Sequence, residues 1–332
     1  MHFAPFNEIG DTPHILVDGK GNEHTVLALS HWPKSGTPAA LKEDLSAEIV
    51  FKYLDHPEHH VRIEAVTNNH FDEDGLIGVY TLIDPEKAVQ RREQLIDVAS
   101  AGDFGTYKDR EAARVAFTLA RYADAERSPL DPKLFEQPYA SMGDSLYLEL
   151  LPRLPEMLAH PDRFRKHWEE DEALLDRSER ALRSGKISIR ENPALDLAVV
   201  TLPDEATPEG VERFTQNQAA VCHPLALHTA TDRFRLLLVQ GRTYEFQYRY
   251  ETWVQYVSRR PSPRVDLAPL AADFSGQEEG GGTWKFDGVE EITPGMRLTG
   301  APESRIAPER FIQQVESFLS SAPPAWDPYD AG

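Results

Sequence analysis

One stretch of the chain concentrates side chains that can bind a cation or move a proton: Val66-Thr67-Asn68-Asn69-His70-Phe71-Asp72-Glu73-Asp74-Gly75-Leu76. An apolar, strand-like run passes into alternating ligand-type residues and then into a helix-like run. In an extended segment residues two apart point the same way, so His70, Asp72 and Asp74 converge on one spot. An imidazole with two carboxylates suits a divalent ion such as Mn²⁺, Mg²⁺ or Zn²⁺. The same residues also read more plainly, as an acidic turn in which Asp72 or Asp74 caps a helix. In open α/β sheets, ligands bind beyond the carboxyl ends of strands, and this stretch has that position.

The elements that must hold such a site can be traced along the chain. Two strand-like runs, His14–Val17 and Thr25–Leu29, flank the turn Asp18-Gly19-Lys20-Gly21-Asn22. A helix is predicted over Asp44–Leu54, with Asp44 as N-cap and Leu45, Ile49, Val50 and Tyr53 as its apolar stripe. Val61–Thr67 reads as a strand and Leu76–Ile83 as the start of a buried helix. Glu86–Ala99 and Glu111–Tyr122 are helical by period. Strands alternating with helices predict an α/β fold with a parallel-sheet metal domain over residues 1–130. Residues 131–185 read as an exposed helical connector, because Arg163, Arg165 and Lys166 stand next to Glu169, Glu170, Asp171 and Glu172. Residues 186–322 read as a smaller α+β domain. Its strands are Ile187–Arg190, Leu197–Leu202 and Phe234–Val239, and its helices are Tyr250–Ser258 and Pro308–Leu319. Residues 323–332 read as a flexible tail.

Further segments complete a resemblance to the DHH family of metal-dependent phosphoesterases. That family carries four short motifs on strand ends of an α/β domain. His-x-Asp-x-Asp is matched by His70-Phe71-Asp72-Glu73-Asp74. A strand ending in Asp is matched by Ile15-Leu16-Val17-Asp18. Asp-His-His falls on Ser30-His31-Trp32, where the middle histidine alone is kept, and Asp44–Val50 resembles the helix that follows it. A later single Asp is best matched by Asp103 in Ala101-Gly102-Asp103-Phe104-Gly105. The motif order differs from the family's as a circular permutation would make it.

The resemblance implies a two-metal site. His70, Asp72 and Asp18 would hold one ion. Asp74, His31, Asp103 and the shared Asp18 would hold the other. Mn²⁺ is the family's usual ion, with Mg²⁺ or another divalent ion open. Asp18, His31 and Asp103 would carry the catalytic roles. The implied reaction is hydrolysis of a phosphoester or phosphoanhydride by metal-activated water. The family's second histidine helps with the scissile phosphate, and Trp32 replaces it. A protein that keeps the fold and the metal without turnover is therefore the alternative.

The second half offers substrate-binding candidates. Family members often carry a Gly-Gly-Gly-His segment, which Gly280-Gly281-Gly282-Thr283 resembles apart from the last residue. Three glycines permit close backbone approach to an anion, and they are also ordinary loop punctuation. Arg249, Arg259 and Arg260 carry guanidinium forks suited to phosphate. Tyr244, Phe246, Tyr248 and Tyr250 alternate at strand period among them, as core residues or as a surface for a base or sugar.

Composition narrows the partners. Asp and Glu total 55 against 35 Lys and Arg, a formal net charge of -20. That excess argues against a general nucleic-acid binder, because no basic stripe offsets it, and favours a small phosphorylated substrate. At 40% hydrophobic and 27% charged residues, the chain has enough apolar side chains for a core. Its one cysteine, Cys222, excludes an intrachain disulfide and a thiolate metal cage. No apolar run approaches the ~20 residues of a membrane helix. The first residues show no basic-then-apolar signal, so the expectation is a cytoplasmic protein. His56, His59 and His60 read as a surface turn. His223 and His228 read as unconnected, because Pro224 breaks their helical spacing.

Overall fold

The computed structural model describes residues 1–213 and 216–329. Four short strands, β1 (His2–Phe3), β2 (His14–Val17), β3 (Thr25–Leu29) and β4 (Ala65–Thr67), form a parallel sheet in the order β1-β4-β2-β3. Their carboxyl ends therefore open on one edge. Strands β2 and β4 are buried along their whole length, as a parallel strand covered on both faces requires. Five helices follow in this half: α1 (Ser46–Asp55), α2 (Glu73–Ile83), α3 (Pro85–Gln90), α4 (Arg92–Asp103) and α5 (Arg110–Ala123). Helix α2 presses directly on the sheet. A Cβ on Gly78 would lie 2.5 Å from Val17 Cγ1, so a side chain there would push the helix off β2.

Residues 131–185 are helical, in α6 (Tyr139–Leu150), α7 (Leu154–Ala159) and α8 (Glu169–Arg183), but they are not an exposed connector. Leu146, Tyr147, Leu150, Leu154, Met157 and Leu175 are buried in the same core as β2 and α2. Of the charges that suggested a solvated spacer, Arg163 pairs outward with Glu156 and Arg165 with Glu169, whereas Asp171 is buried and Glu170 and Glu172 pair with Arg121 and Arg114 of α5.

The second half begins with β5 (Ser188–Asn192) and β6 (Leu197–Thr201), then a hairpin of β7 (Glu209–Arg213) and β8 (Gln216–Ala220), and helix α9 (Pro224–Ala230). Strands β9 (Arg235–Gln240) and β10 (Thr243–Tyr248) follow, then β11 (Arg264–Val265), α10 (Ala268–Gln277), β12 (Thr283–Phe286), β13 (Gly295–Thr299), α11 (Pro308–Ser321) and β14 (Pro324–Trp326). Six of these strands form a mixed sheet in the order β12-β13-β10-β9-β6-β5, antiparallel except for β6 and β9. Alternation along β6 divides its side chains between two cores. Leu197 and Val199 join Phe274, Phe311 and Val315 of α10 and α11, whereas Ala198 and Val200 join the core of the first half. The sheet is thus a wall common to both halves, and the architecture is mixed α/β.

Three further sequence expectations change. Asp44 does not cap α1; Leu45 occupies that position, and the Asp44 carboxylate accepts from the amides of Val257 (2.6 Å) and Ser258 (2.8 Å) instead. The predicted helix over Tyr250–Ser258 is a single 3₁₀ turn at Tyr250–Thr252, because the amides of Gln255, Val257 and Ser258 bond across to the first half. The tail is tied down rather than loose. Strand β14 pairs with β11, Arg260 meets Asp327 at 2.8 Å, and the Tyr329 hydroxyl donates to the Tyr256 carbonyl. Residues 330–332 of the expected tail lie outside the described residues. Among the described residues, no helix is long and apolar enough to cross a membrane.

The docking of α8 generates a pH prediction. Asp171 is buried against α5, with Arg121 3.6 Å away. Burial pushes its carboxyl up to about 6, against the pull of Arg121. The folded state then holds a proton that the unfolded chain releases near pH 4, so stability falls as pH rises from about 4 to about 6. Asp171→Asn should gain on the order of 2 kcal/mol relative to wild type on going from pH 4 to pH 7.5. Urea denaturation at the two pH values checks this.

Candidate metal centre

Four loops and helix ends at the carboxyl edge of the first sheet bring six ligand-type side chains together. Asp18 ends β2. Its backbone is left-handed (φ 47°), a conformation Asp tolerates better than most residues, and Gly19 follows at φ 152°. The bend leaves the carboxylate fully buried between two histidines. Asp18 Oδ1 lies 3.3 Å from His31 Nε2 and accepts from Ser46 Oγ at 2.7 Å; Asp18 Oδ2 lies 3.3 Å from His70 Nε2.

The histidines are oriented from behind. His31 follows β3, and its Nδ1 lies 2.7 Å from the Asp44 carbonyl. A carbonyl only accepts, so Nδ1 carries the proton and Nε2 faces the carboxylates. That nitrogen also lies 3.5 Å from Asp103 Oδ2 and 3.9 Å from Asp74 Oδ2. His70 follows β4. Its Nδ1 meets Asn69 Oδ1 at 3.0 Å and its Nε2 meets Asp72 Oδ2 at 2.7 Å.

The aspartates are anchored by helix ends. Asp72 serves both readings of its motif: Oδ1 caps α2 by accepting from the Gly75 amide at 2.8 Å, and Oδ2 faces His70. Asp74 accepts from the first amides of α1, Ser46 at 2.7 Å and Ala47 at 2.8 Å, where the helix dipole favours an anion. Asp103 is the last residue of α4. Donor atoms of Asp18, His70 and Asp72 lie within 4.8 Å of one another, and so do those of Asp18, His31 and Asp74. Asp103 lies outside both groups and adjoins the second through His31 Nε2 at 3.5 Å, so the six residues picked out in the sequence are neighbours, with Asp18 common to both groups.

Electrostatics mark the place. Burial pushes Asp74 up to about 8, with Asp18 adding to it, and holds Asp72 and Asp103 above the usual carboxylate range. Asp18 goes the other way. Burial opposes its charge, but His31 and His70 outweigh burial and hold it below that range. Burial likewise disfavours a charged His31, yet Asp18 and then Asp74 raise it to about 9.

The model of a family of unknown function, DUF6687, matches residues 1–330. The chain belongs to that family. Comparison with curated proteins and with solved structures finds no match.

In this DUF6687 member the expected phosphate clamp is not assembled. The Arg249 guanidinium is buried, donating to Glu251 (2.5 Å) and to the carbonyls of Thr231 (2.9 Å) and Phe104 (3.3 Å). Arg259 holds Asp196 and the Asp232 carbonyl and lies over the Phe234 ring, and Arg260 is engaged by Asp327 and Tyr329. Gly280, Gly281 and Gly282 sit before β12, the outermost strand of the second sheet, and a Cβ on Gly282 would meet Leu298 and Ala301 rather than any cluster residue. His223 and His228 stay separate. The first caps α9 and the second faces the Phe104 carbonyl at 2.9 Å.

Three neighbours of the cluster gave little sign in the sequence. Ser46 holds Asp18. Trp32 packs its ring 4.9 Å from that of His70 and meets Trp253 edge-on at 5.0 Å. The Tyr250 hydroxyl lies 3.3 Å from His31 Nε2 across 219 positions of sequence, a separation that no local pattern reveals.

If Arg249 is a structural clamp on the turn after Asp103, Arg249→Met should destabilise the fold by about 3–5 kcal/mol, because the buried Glu251 carboxylate loses its partner. Denaturant titration gives the value. A stable variant with weakened phosphate binding would return Arg249 to the substrate site.

Proposed function

We propose that this protein is a divalent-metal-dependent hydrolase acting on a phosphoester or phosphoanhydride of a small molecule, with two ions held by His70, Asp72 and Asp18 and by His31, Asp74, Asp103 and Asp18. The observation that carries the reading is Asp18, whose two oxygens face two separate His/Asp groups. A ligand bond of about 2.1 Å places neighbouring donors on one ion roughly 3–4 Å apart. The five histidine–carboxylate pairs fall in or close to that span, between 2.7 and 3.9 Å. Four carboxylates and two imidazoles suit Mn²⁺ or Mg²⁺, with Mn²⁺ better matched to the nitrogen donors. Two divalent charges would balance four aspartates.

Bound ions of this kind supply an acidified water and neutralise charge on phosphoryl oxygens. The chain's own part is orientation. Asn69 and the Asp44 carbonyl fix the ring planes of His70 and His31, and the amides of α1 and α2 fix Asp74 and Asp72. Access is from the His70 side, the least buried of the six. The DHH resemblance supports the same ligands and the same reaction. A cytoplasmic location goes with this reading, in keeping with a free, buried thiol at Cys222.

Trp32 favours a second reading, a metal-binding protein without turnover, because it fills the space beside His70 with an indole whose buried Nε1 has no hydrogen-bond partner.

Metal analysis of wild type and Asp18→Asn after loading with Mn²⁺ tests both. The asparagine keeps the left-handed turn accessible and removes the bridging charge. Wild type should hold two equivalents and gain about 2.7 kcal/mol of stability per site at 100 times the dissociation constant, reversed by chelator. The variant should lose them, and release of phosphate from a panel of small phosphoesters should fall by more than about 10³-fold. No metal in wild type would sink the hydrolase reading. Two metals without turnover on any panel member would leave the second.

A further inference from the structure

The C-terminal half sends one polar atom into the cluster. Tyr250 stands two residues past β10, is buried, and places its hydroxyl 3.3 Å from His31 Nε2. The segment carrying it is held at three points on the first half. Arg249 grips the Phe104 carbonyl, the Gln255 amide donates to the His31 carbonyl at 2.8 Å, and the Asp44 carboxylate takes the amides of Val257 and Ser258. The ring stands edge-on to His31 (5.6 Å, 74°) and is stacked near Trp253 (6.0 Å, 17°). The hydroxyl is therefore delivered to a fixed place.

Packing alone does not ask for that oxygen. Phe104 fills the adjoining space with a bare ring, 6.1 Å from that of Tyr250. A phenol keeps its proton at neutral pH, so the hydroxyl faces the cluster as an O–H donor. An imidazole nitrogen that serves as a metal ligand has no lone pair left to accept from it. An anion bound beside His31 would come within reach of this hydroxyl.

We propose that the Tyr250 hydroxyl is a catalytic hydrogen-bond donor, supplied by the C-terminal half, to an oxygen of the phosphoryl group bound beside His31. The proposal rests on the hydrolase reading above and adds a residue to it. No bond is made or broken at the tyrosine oxygen, and its proton stays in place. The contact strengthens as negative charge builds on the phosphoryl oxygens, which is what raises kcat rather than lowering KM.

Tyr250→Phe removes the oxygen and keeps the ring. Three readouts on the Mn²⁺-loaded full chain decide the matter: bound metal, affinity for orthovanadate by calorimetry, and kcat and KM on the best phosphoester. The expected result is two equivalents of metal retained, vanadate affinity down roughly 10-fold, and kcat down roughly 10²-fold or more with KM nearly unchanged. Unaltered vanadate affinity and kcat in a metal-loaded variant would overturn the tyrosine's role and leave the hydrolase standing. Loss of metal from the variant alone would also overturn it, by making the hydroxyl part of site assembly. Absence of metal from wild type would remove the hydrolase reading and this proposal together.

Discussion

Four aspartates share one buried point, and the rest of the structure is arranged around keeping them there. Two like charges about 4 Å apart repel by about 4 kcal/mol at an effective dielectric near 20. Several such pairs would exceed the roughly 5–15 kcal/mol by which a domain is stable. The fold answers with every nearby source of positive potential. The N-termini of α1 and α2 aim amides at Asp74 and Asp72, Ser46 donates to Asp18, and two imidazoles stand among the carboxylates. These groups reduce the repulsion without cancelling it, as the upward shift of three of the four carboxyls shows. A site so built is suited to cations.

The same requirement explains why the two halves are not separable. A cluster of buried charge must be shielded from water apart from its access at His70, and the first sheet with its helices leaves the side of His31 and Asp103 open. The strip 249–258 closes it. Arg249 bonds the carbonyl that follows Asp103, Gln255 bonds the carbonyl of His31 itself, and Val257 and Ser258 reach Asp44, whose carbonyl orients the His31 ring. The shared wall at β6 fixes where that strip can lie. A boundary at residue 186 marks a change of secondary structure, and the packing runs across it.

Much of this was legible in sequence where the signal is local. The run His70-Phe71-Asp72-Glu73-Asp74 names three ligands, but the extended period that suggested their convergence stops at Asp72; Asp74 reaches the cluster from the first turn of α2, and a strand that ends in Asp18 must leave that residue at the sheet edge. Side chains whose partners are distant were not legible. Arg249, Arg259 and Arg260 carry the right chemistry for phosphate, but a guanidinium fits buried carbonyls and carboxylates equally well, and only the fold decides. The connector was misread for a related reason. Its dense charges at Arg163–Glu172 drew the reading, and the stripe Leu146, Leu150, Leu154 and Met157 ahead of them spans two helices joined by a turn, which blurs the helical period. Asp44 looked like a cap because it precedes a helix, yet its carboxylate serves amides more than two hundred residues away.

Sheet order, rather than chain order, accounts for the shared aspartate. Strand β2 lies between β3 and β4. Neighbouring parallel strands are about 4.8 Å apart, so a residue at the end of β2 is reached from both sides by residues at the ends of the other two. His31 and His70 follow β3 and β4, and Asp18 follows β2. The residue between them is therefore the one able to offer an oxygen to each. The left-handed turn at Asp18 supplies the rest, because it folds the side chain back over the strand ends instead of out into solvent. A chain that visits the three strands in any order, provided the sheet places them this way, arrives at the same arrangement. The permuted order of the motifs is thus no obstacle to a bridged site.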